Sequence, residues 1–139
     1  MVLAPARSLY ERLGGMSFFT DLVERFYERV ATDEVLRPLY PDDLGPSRRR
    51  LALFLAQSWG GPRLYEAERG QPALKARHMQ WEIGPRERDR WLEHMQAALD
   101  ASPAGALERA QMLSQFRSMA NHLVNTATGV GSTKPSTSA

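Results

Sequence analysis

Three histidines, His78, His94 and His122, are the imidazoles of this 139-residue chain, and it has no cysteine. That excludes disulfides, thiolate zinc sites, iron–sulfur clusters and a Cys nucleophile. The histidines are not at the i, i+3 or i+4 spacings that build a metal cage, so they form none among themselves. His78 stands out by position. It closes a short helix that Pro72 can start, since the missing proline N–H costs nothing at a first helical position. Gly84-Pro85 opens the next helix, with Trp91 about two turns into it. One imidazole at the end of one helix and one indole on the next can line a pocket, with a lone nitrogen ligand on one wall and an N–H donor on another. The plainer reading is that the helix dipole alone favours a His at a C-terminus. Spacing leaves both open. His94 and His122 read as surface or interhelical residues.

Tyr27, Tyr40 and Trp91 come from three separate segments. Each could be an amphipathic core residue with a satisfied polar tip, or a hydrogen-bond donor to something in a pocket. No G-x-S-x-G, Walker loop or G-x-G-x-x-G is present, and Asp42-Asp43 reads as a turn.

The elements that carry these residues are helical. Ser8-x-x-Glu11 fits a capping box, and Gly14-Gly15 ends that first helix. Ser17 is the expected cap of the second, whose Phe19, Leu22, Val23, Phe26 and Val30 share one face. Asp33 to Pro38 reads as a helical turn or two, with Tyr40-Pro41 as a corner. Pro46 begins a helix with Leu51, Phe54, Leu55 and Ser58 on one side. Arg48, Arg49 and Arg50 in its first turn oppose the dipole and read as a solvated face with partners elsewhere. Pro85 to Asp100 places Trp91, Leu92, Met95, Ala98 and Leu99 inward. Leu107 to Asn125 is the last helix, with Leu107, Ala110, Leu113, Phe116, Ala120, Leu123 and Val124 as its stripe. Residues 1–125 thus form one all-α domain, and 126–139 change to a Thr/Ser/Gly/Pro composition expected to be a disordered tail.

Several pieces then fall into one order. They are Leu13-Gly14-Gly15, Arg25-Phe26-Tyr27, Asp33-Glu34-Val35-Leu36 leading to Tyr40-Pro41, and Trp59-Gly60-Gly61-Pro62 with Tyr65. Arg69-Gly70 with Pro72, Arg77-His78, and Arg88-Asp89 before Trp91-Leu92 complete the set. Together they resemble a group II truncated haemoglobin, the Trp-containing branch of the bacterial two-over-two globins. The resemblance implies a two-over-two helical sandwich enclosing one haem b. With no C-x-x-C-H site the haem is held non-covalently. A haem needs one protein ligand, because the porphyrin supplies four nitrogens. Arg77-His78 occupies the position of that proximal ligand, which implies His78 as the iron ligand. Its other ring nitrogen should donate to a carbonyl or acid.

By the same resemblance Tyr27, Tyr40 and Trp91 line the distal face as donors to a bound diatomic ligand. Ser47 stands where many globins carry a His, leaving a five-coordinate iron. Leu51 and Phe54 supply the apolar wall and Trp81 the proximal wall. Tyr65 and Arg77 sit where the family contacts haem propionates, and a guanidinium suits a carboxylate. Two departures appear: Gln71 replaces a usual His, and Met79-Gln80-Trp81 replaces a small residue, Pro and Phe.

The implied function is reversible binding of oxygen and other diatomic ligands with strong distal hydrogen bonding. Redox chemistry on the ligand, such as nitric oxide dioxygenation or peroxide reduction, is a subsidiary expectation that needs a reductase partner. A chain with 18 basic and 16 acidic residues and a net charge of +2 shows no nucleic-acid footprint. No run approaches the ~18 to 20 apolar residues of a membrane span, and residues 1–7 lack a secretory core. The expected location is the cytoplasm, as monomer or homodimer. The rival expectation is a non-enzymatic helical interaction module with a basic surface, built on Arg48 to Arg50 and the tail.

Overall fold

The structure, a computed structural model, describes residues 7–70, 73, 78 and 81–125. Its helices are α1 (Leu9–Leu13), α2 (Met16–Val30), α3 (Gly45–Ser58), α4 (Leu64–Arg69), α5 (Pro85–Asp100) and α6 (Ala106–Leu123). A single 3-10 turn, Arg37–Leu39, lies between α2 and α3. Among the described residues there is no strand, and no helix is long and apolar enough to cross a membrane.

Ser8 accepts from the Glu11 amide, and the Glu11 carboxylate accepts from the Ser8 amide, so the capping box forms. Gly14 ends α1 in the left-handed region (φ 110°). Ser17 does not cap α2. The helix begins two residues earlier, with Gly15 at φ 81° as its N-cap, because the paired glycines turn the chain before Ser17 is reached. Asp33 to Pro38 is likewise tighter than expected. Asp33 Oδ1 accepts from the amides of Val35 (2.7 Å) and Leu36 (3.2 Å), which spends the local donors on a side chain and leaves only the 3-10 turn.

The expected face of α2 is the centre of the core, with Phe19, Leu22, Phe26 and Val30 wholly buried. Each such side chain contributes roughly 1.5–3 kcal/mol by leaving water. α2 packs on α3 and α5, α5 on α6, and α3 on α4. The pairs α2/α3 and α5/α6 form the two-over-two sandwich.

The inner face of α3 is Ala52, Leu53, Leu55 and Ala56. Ser58 is exposed and donates to the Phe54 carbonyl (2.8 Å) instead of facing inward. The stripe of α6 also departs from expectation at its start. Leu107 is 67% exposed and Ala110 is exposed, while Met112 is fully buried. The first turn of α6 makes polar contacts instead, Glu108 pairing with Arg12 of α1 at 3.4 Å, so burial begins at Met112 and continues through Phe116 and Ala120. Residues 126–139 and the helix anticipated from Pro72 lie outside the described residues, His78 apart, which is helical.

Gly61 closes the N-terminal end. A Cβ there would lie 2.6 Å from the Tyr10 ring and 2.7 Å from the Ala56 carbonyl oxygen. The Tyr10 amide donates to Trp59 O at 2.9 Å, so α1 sits directly on this glycine pair. Rings then run inward in contact from Tyr10 to Phe19, Trp59, Phe116 and Trp91, each pair with centroids 5.3–6.1 Å apart.

Candidate functional site

A cavity of about 980 Å³ lies within the sandwich, lined from every helix except α1. It is at the upper end of the roughly 300–1,000 Å³ typical of cofactor sites. The anticipated site residues Tyr27, Tyr40, Ser47, Leu51, Phe54, Tyr65, His78, Trp81 and Trp91 all line it. Arg77 lies outside the described residues. The structure adds residues that the sequence did not place at the site, notably Ile83, Met119, Arg69, Arg88 and Arg50, the last expected on a solvated face.

Tyr27 is buried on α2, and its ring meets Tyr40 edge-on at 5.6 Å. The Phe26 ring stands beside both Tyr27 (5.1 Å) and Trp91 (5.2 Å) and so fixes their spacing. Burial pushes the Tyr40 phenol up to about 12, against the hydrogen bonds it accepts from Trp91 and Tyr27. Burial raises Tyr27 further, helped by its neighbour Tyr40 and opposed by the Arg50 charge. Both phenols therefore stay protonated at neutral pH. Trp91 and Tyr27 are thus the polar neighbours of the Tyr40 oxygen, and a phenol has one proton of its own to donate.

A charged network braces this wall from behind. Asp33 is 3% exposed. It pairs with Arg90 (3.1 Å) and with His94 Nε2, while Arg29 Nε donates to His94 Nδ1 at 3.0 Å. Burial opposes ionisation of Asp33, but the bonds from His94, Arg90 and the Val35 and Leu36 amides hold its carboxyl well below the usual carboxylate range. His94 is thus interhelical and buried, and the network joins the corner before Tyr40 to the helix turn that carries Trp91. His122 is exposed.

His78 comes from the segment between α4 and α5. Its ring meets Trp81 at 5.8 Å, and its carbonyl accepts from the Trp81 amide at 3.1 Å. Tyr65 is buried on α4 and packs edge-on against Phe54 at 5.5 Å. Arg50 and Arg69 reach the cavity from α3 and α4, and Arg88 from α5.

These residues fit a haem. One imidazole suffices for an iron that brings four ring nitrogens. The apolar walls suit a macrocycle, and guanidiniums at the cavity suit its carboxylates. Among the described residues no group of three or more His, Cys, Asp or Glu side chains could hold a bare metal ion.

Comparison with known proteins agrees with this geometry. The profile of the bacterial-like globins matches residues 8–125. The chain belongs to that family. Its branch is the group II truncated haemoglobins, and its cofactor is haem b. The globin is similar to the group 2 truncated hemoglobin of Bacillus subtilis (strain 168), with 38% identity over 116 residues, 84% of this chain and 87% of the relative. A thermostable hemoglobin of Thermobifida fusca superimposes with a TM-score of 0.84 at 49% identity, covering 86% of this chain and 98% of that one. The group II truncated hemoglobin of Bacillus anthracis gives a TM-score of 0.88 at 35% identity, covering 92% and 98%.

The rival expectation of a basic docking face finds less to stand on. Arg48 is paired with Glu24 (3.1 Å) and Arg49 with Glu68 (2.5 Å), while Arg50 lines the cavity of this globin. The three arginines do not form one uncompensated patch.

Proposed function

We propose that this globin binds oxygen and related diatomic ligands reversibly, with His78 as the residue that would hold the haem iron and Tyr27, Tyr40 and Trp91 as the donor cluster that would meet the bound ligand. The haem supplies the iron at which a diatomic ligand binds and gains negative charge. The chain's residues hold the cofactor and stabilise that charge. The observation that carries the reading is that a single cavity gathers His78 with three phenol and indole donors whose protons are retained at neutral pH.

Tyr40 is the central donor. Trp91 and Tyr27 donate into its oxygen, which polarises its remaining proton toward a ligand. A hydrogen bond to a charged acceptor contributes about 1.5–3 kcal/mol, or roughly ten- to hundredfold in dissociation if made only in the bound state. Such retention favours chemistry on the ligand over rapid delivery. Oxidation of nitric oxide or reduction of peroxide fits that setting, with electrons drawn from a reductase partner. Ser47, a small buried residue on α3, brings no side chain that would ligate the iron. Tyr65, with Arg50 and Arg69, would hold the propionates.

The test is the absorption spectrum of the holoprotein in ferric, ferrous and carbonmonoxy forms, combined with stopped-flow oxygen dissociation. A five-coordinate ferrous spectrum and slow dissociation that speeds up in Tyr40→Phe support the reading. A protein that gives no Soret band after reconstitution with haem would overturn it. Steady consumption of nitric oxide in the presence of a reducing system tests the redox part separately.

A further inference from the structure

Asn125 follows the C-terminus of α6, 47 residues beyond His78, and it binds the His78 segment at several points. Its Nδ2 donates to Trp81 O at 2.8 Å and reaches His78 O at 3.5 Å. Its Oδ1 accepts from the Ile83 amide at 2.8 Å. Its own amide donates to Ile83 O at 2.7 Å. One residue thus pairs with the backbone of three others in the stretch that carries the imidazole, using both ends of a planar amide. Only Asn offers this in so short a side chain, since Asp lacks the donor and Ser lacks the second arm.

The geometry points to Asn125 as the positioning residue of the proximal imidazole, a reading that rests on His78 being the iron ligand. The His78 carbonyl is held by the Trp81 amide and by Asn125, and Trp81 in turn meets the His78 ring edge-on. The backbone on the C-terminal side of His78 is therefore anchored to α6, a helix of the sandwich. Anchoring fixes how far the ring can tilt and turn relative to an iron in the cavity. That orientation governs the strength of the iron–imidazole bond and the retention of the cofactor, as an outer-shell partner does for a metal-bound His.

The experiment uses ferrous, unliganded holoprotein and reads the iron–histidine stretching band by resonance Raman, with haem transfer to an apoglobin acceptor as a second readout. Asn125→Ala should shift and broaden the band and speed haem loss about tenfold. Asn125→Asp keeps the acceptor for Ile83 but turns a carboxylate toward two carbonyls, so it should shift the band at least as far. It decides the matter if the Ala variant does not fold. In His78→Gly with imidazole supplied in solution, the ligand is no longer tied to the backbone, and the band should ignore residue 125. A band unchanged in Asn125→Ala, or one that shifts equally in the His78→Gly background, would overturn the inference. A wild-type band that survives His78→Gly would instead overturn the ligand assignment, and the inference with it.

Discussion

The two sides of the cavity are built by different means. Around Tyr27, Tyr40 and Trp91 the side chains hold one another through ring contacts at 5.1–5.6 Å and hydrogen bonds among polar tips. Their backbones belong to α2, the corner after the 3-10 turn, and α5. Around His78 the side chain has Trp81 at its edge, and order comes from backbone bonds to Asn125. The donor cluster behaves as a piece of core whose polar atoms are shared. The imidazole rides on a tethered strap. On the proposed reading, a ligand arriving among the donors would meet a preorganised set, whereas the iron–imidazole bond would depend on how well the strap is fastened.

Substitutions at the two sides should therefore differ in kind as well as size. His78→Gly should have the largest effect, with loss of the native coordination and recovery of a five-coordinate spectrum on adding imidazole. Removal of Asp33 comes next. Asp33→Ala strips a buried carboxylate from Arg90 and His94 and should cost about 3 kcal/mol in denaturant unfolding. Its pH dependence follows from the sign of the shift. The folded carboxyl lies below its unfolded value of about 3.9, so its contribution is complete above that pH and is lost as pH falls through the folded value. The gap between wild type and Asp33→Ala should stay constant from neutrality to about pH 4 and narrow only below it.

Tyr40→Phe should raise oxygen dissociation roughly ten- to hundredfold, with Trp91→Phe and Tyr27→Phe smaller, because in the proposed arrangement those two act through the Tyr40 oxygen. Equal effects at all three positions would show that each touches the ligand directly and would erase the hierarchy. Alkaline titration followed at 295 nm should show no ionisation of Tyr27 or Tyr40 near pH 10 while the protein is folded. The smallest change expected is Arg48→Ala, an exposed pair with Glu24, at no more than about 0.5 kcal/mol.

How much of this could be read from sequence depended on the kind of contact. Phe19, Leu22, Val23, Phe26 and Val30 declare their face by helical spacing, and the capping box at Ser8 and Glu11 is local. Leu107 and Ala110 have the same spacing yet lie in the open, because periodicity cannot tell where a neighbouring helix ends. That Tyr27, Tyr40, Trp91 and His78 meet at one cavity was legible through family resemblance and not through spacing, which left a core Tyr and a cavity-lining Tyr alike. The Asp33, Arg90 and His94 network spans 57 to 61 residues, and Asn125 reaches back 42 to 47. Nothing local marks an Asn as a brace or an Asp as a buried counter-ion, so both needed the assembled chain.

All three tryptophans of the chain belong to the cavity or its immediate backing: Trp81 and Trp91 line it, and Trp59 touches the Phe116 ring that also touches Trp91. Indole emission overlaps porphyrin absorption, so resonance energy transfer will darken every fluorophore while pigment is lodged there. The molecule carries its own occupancy gauge. Release of the pigment should register as a rise in ultraviolet-excited glow without any added dye.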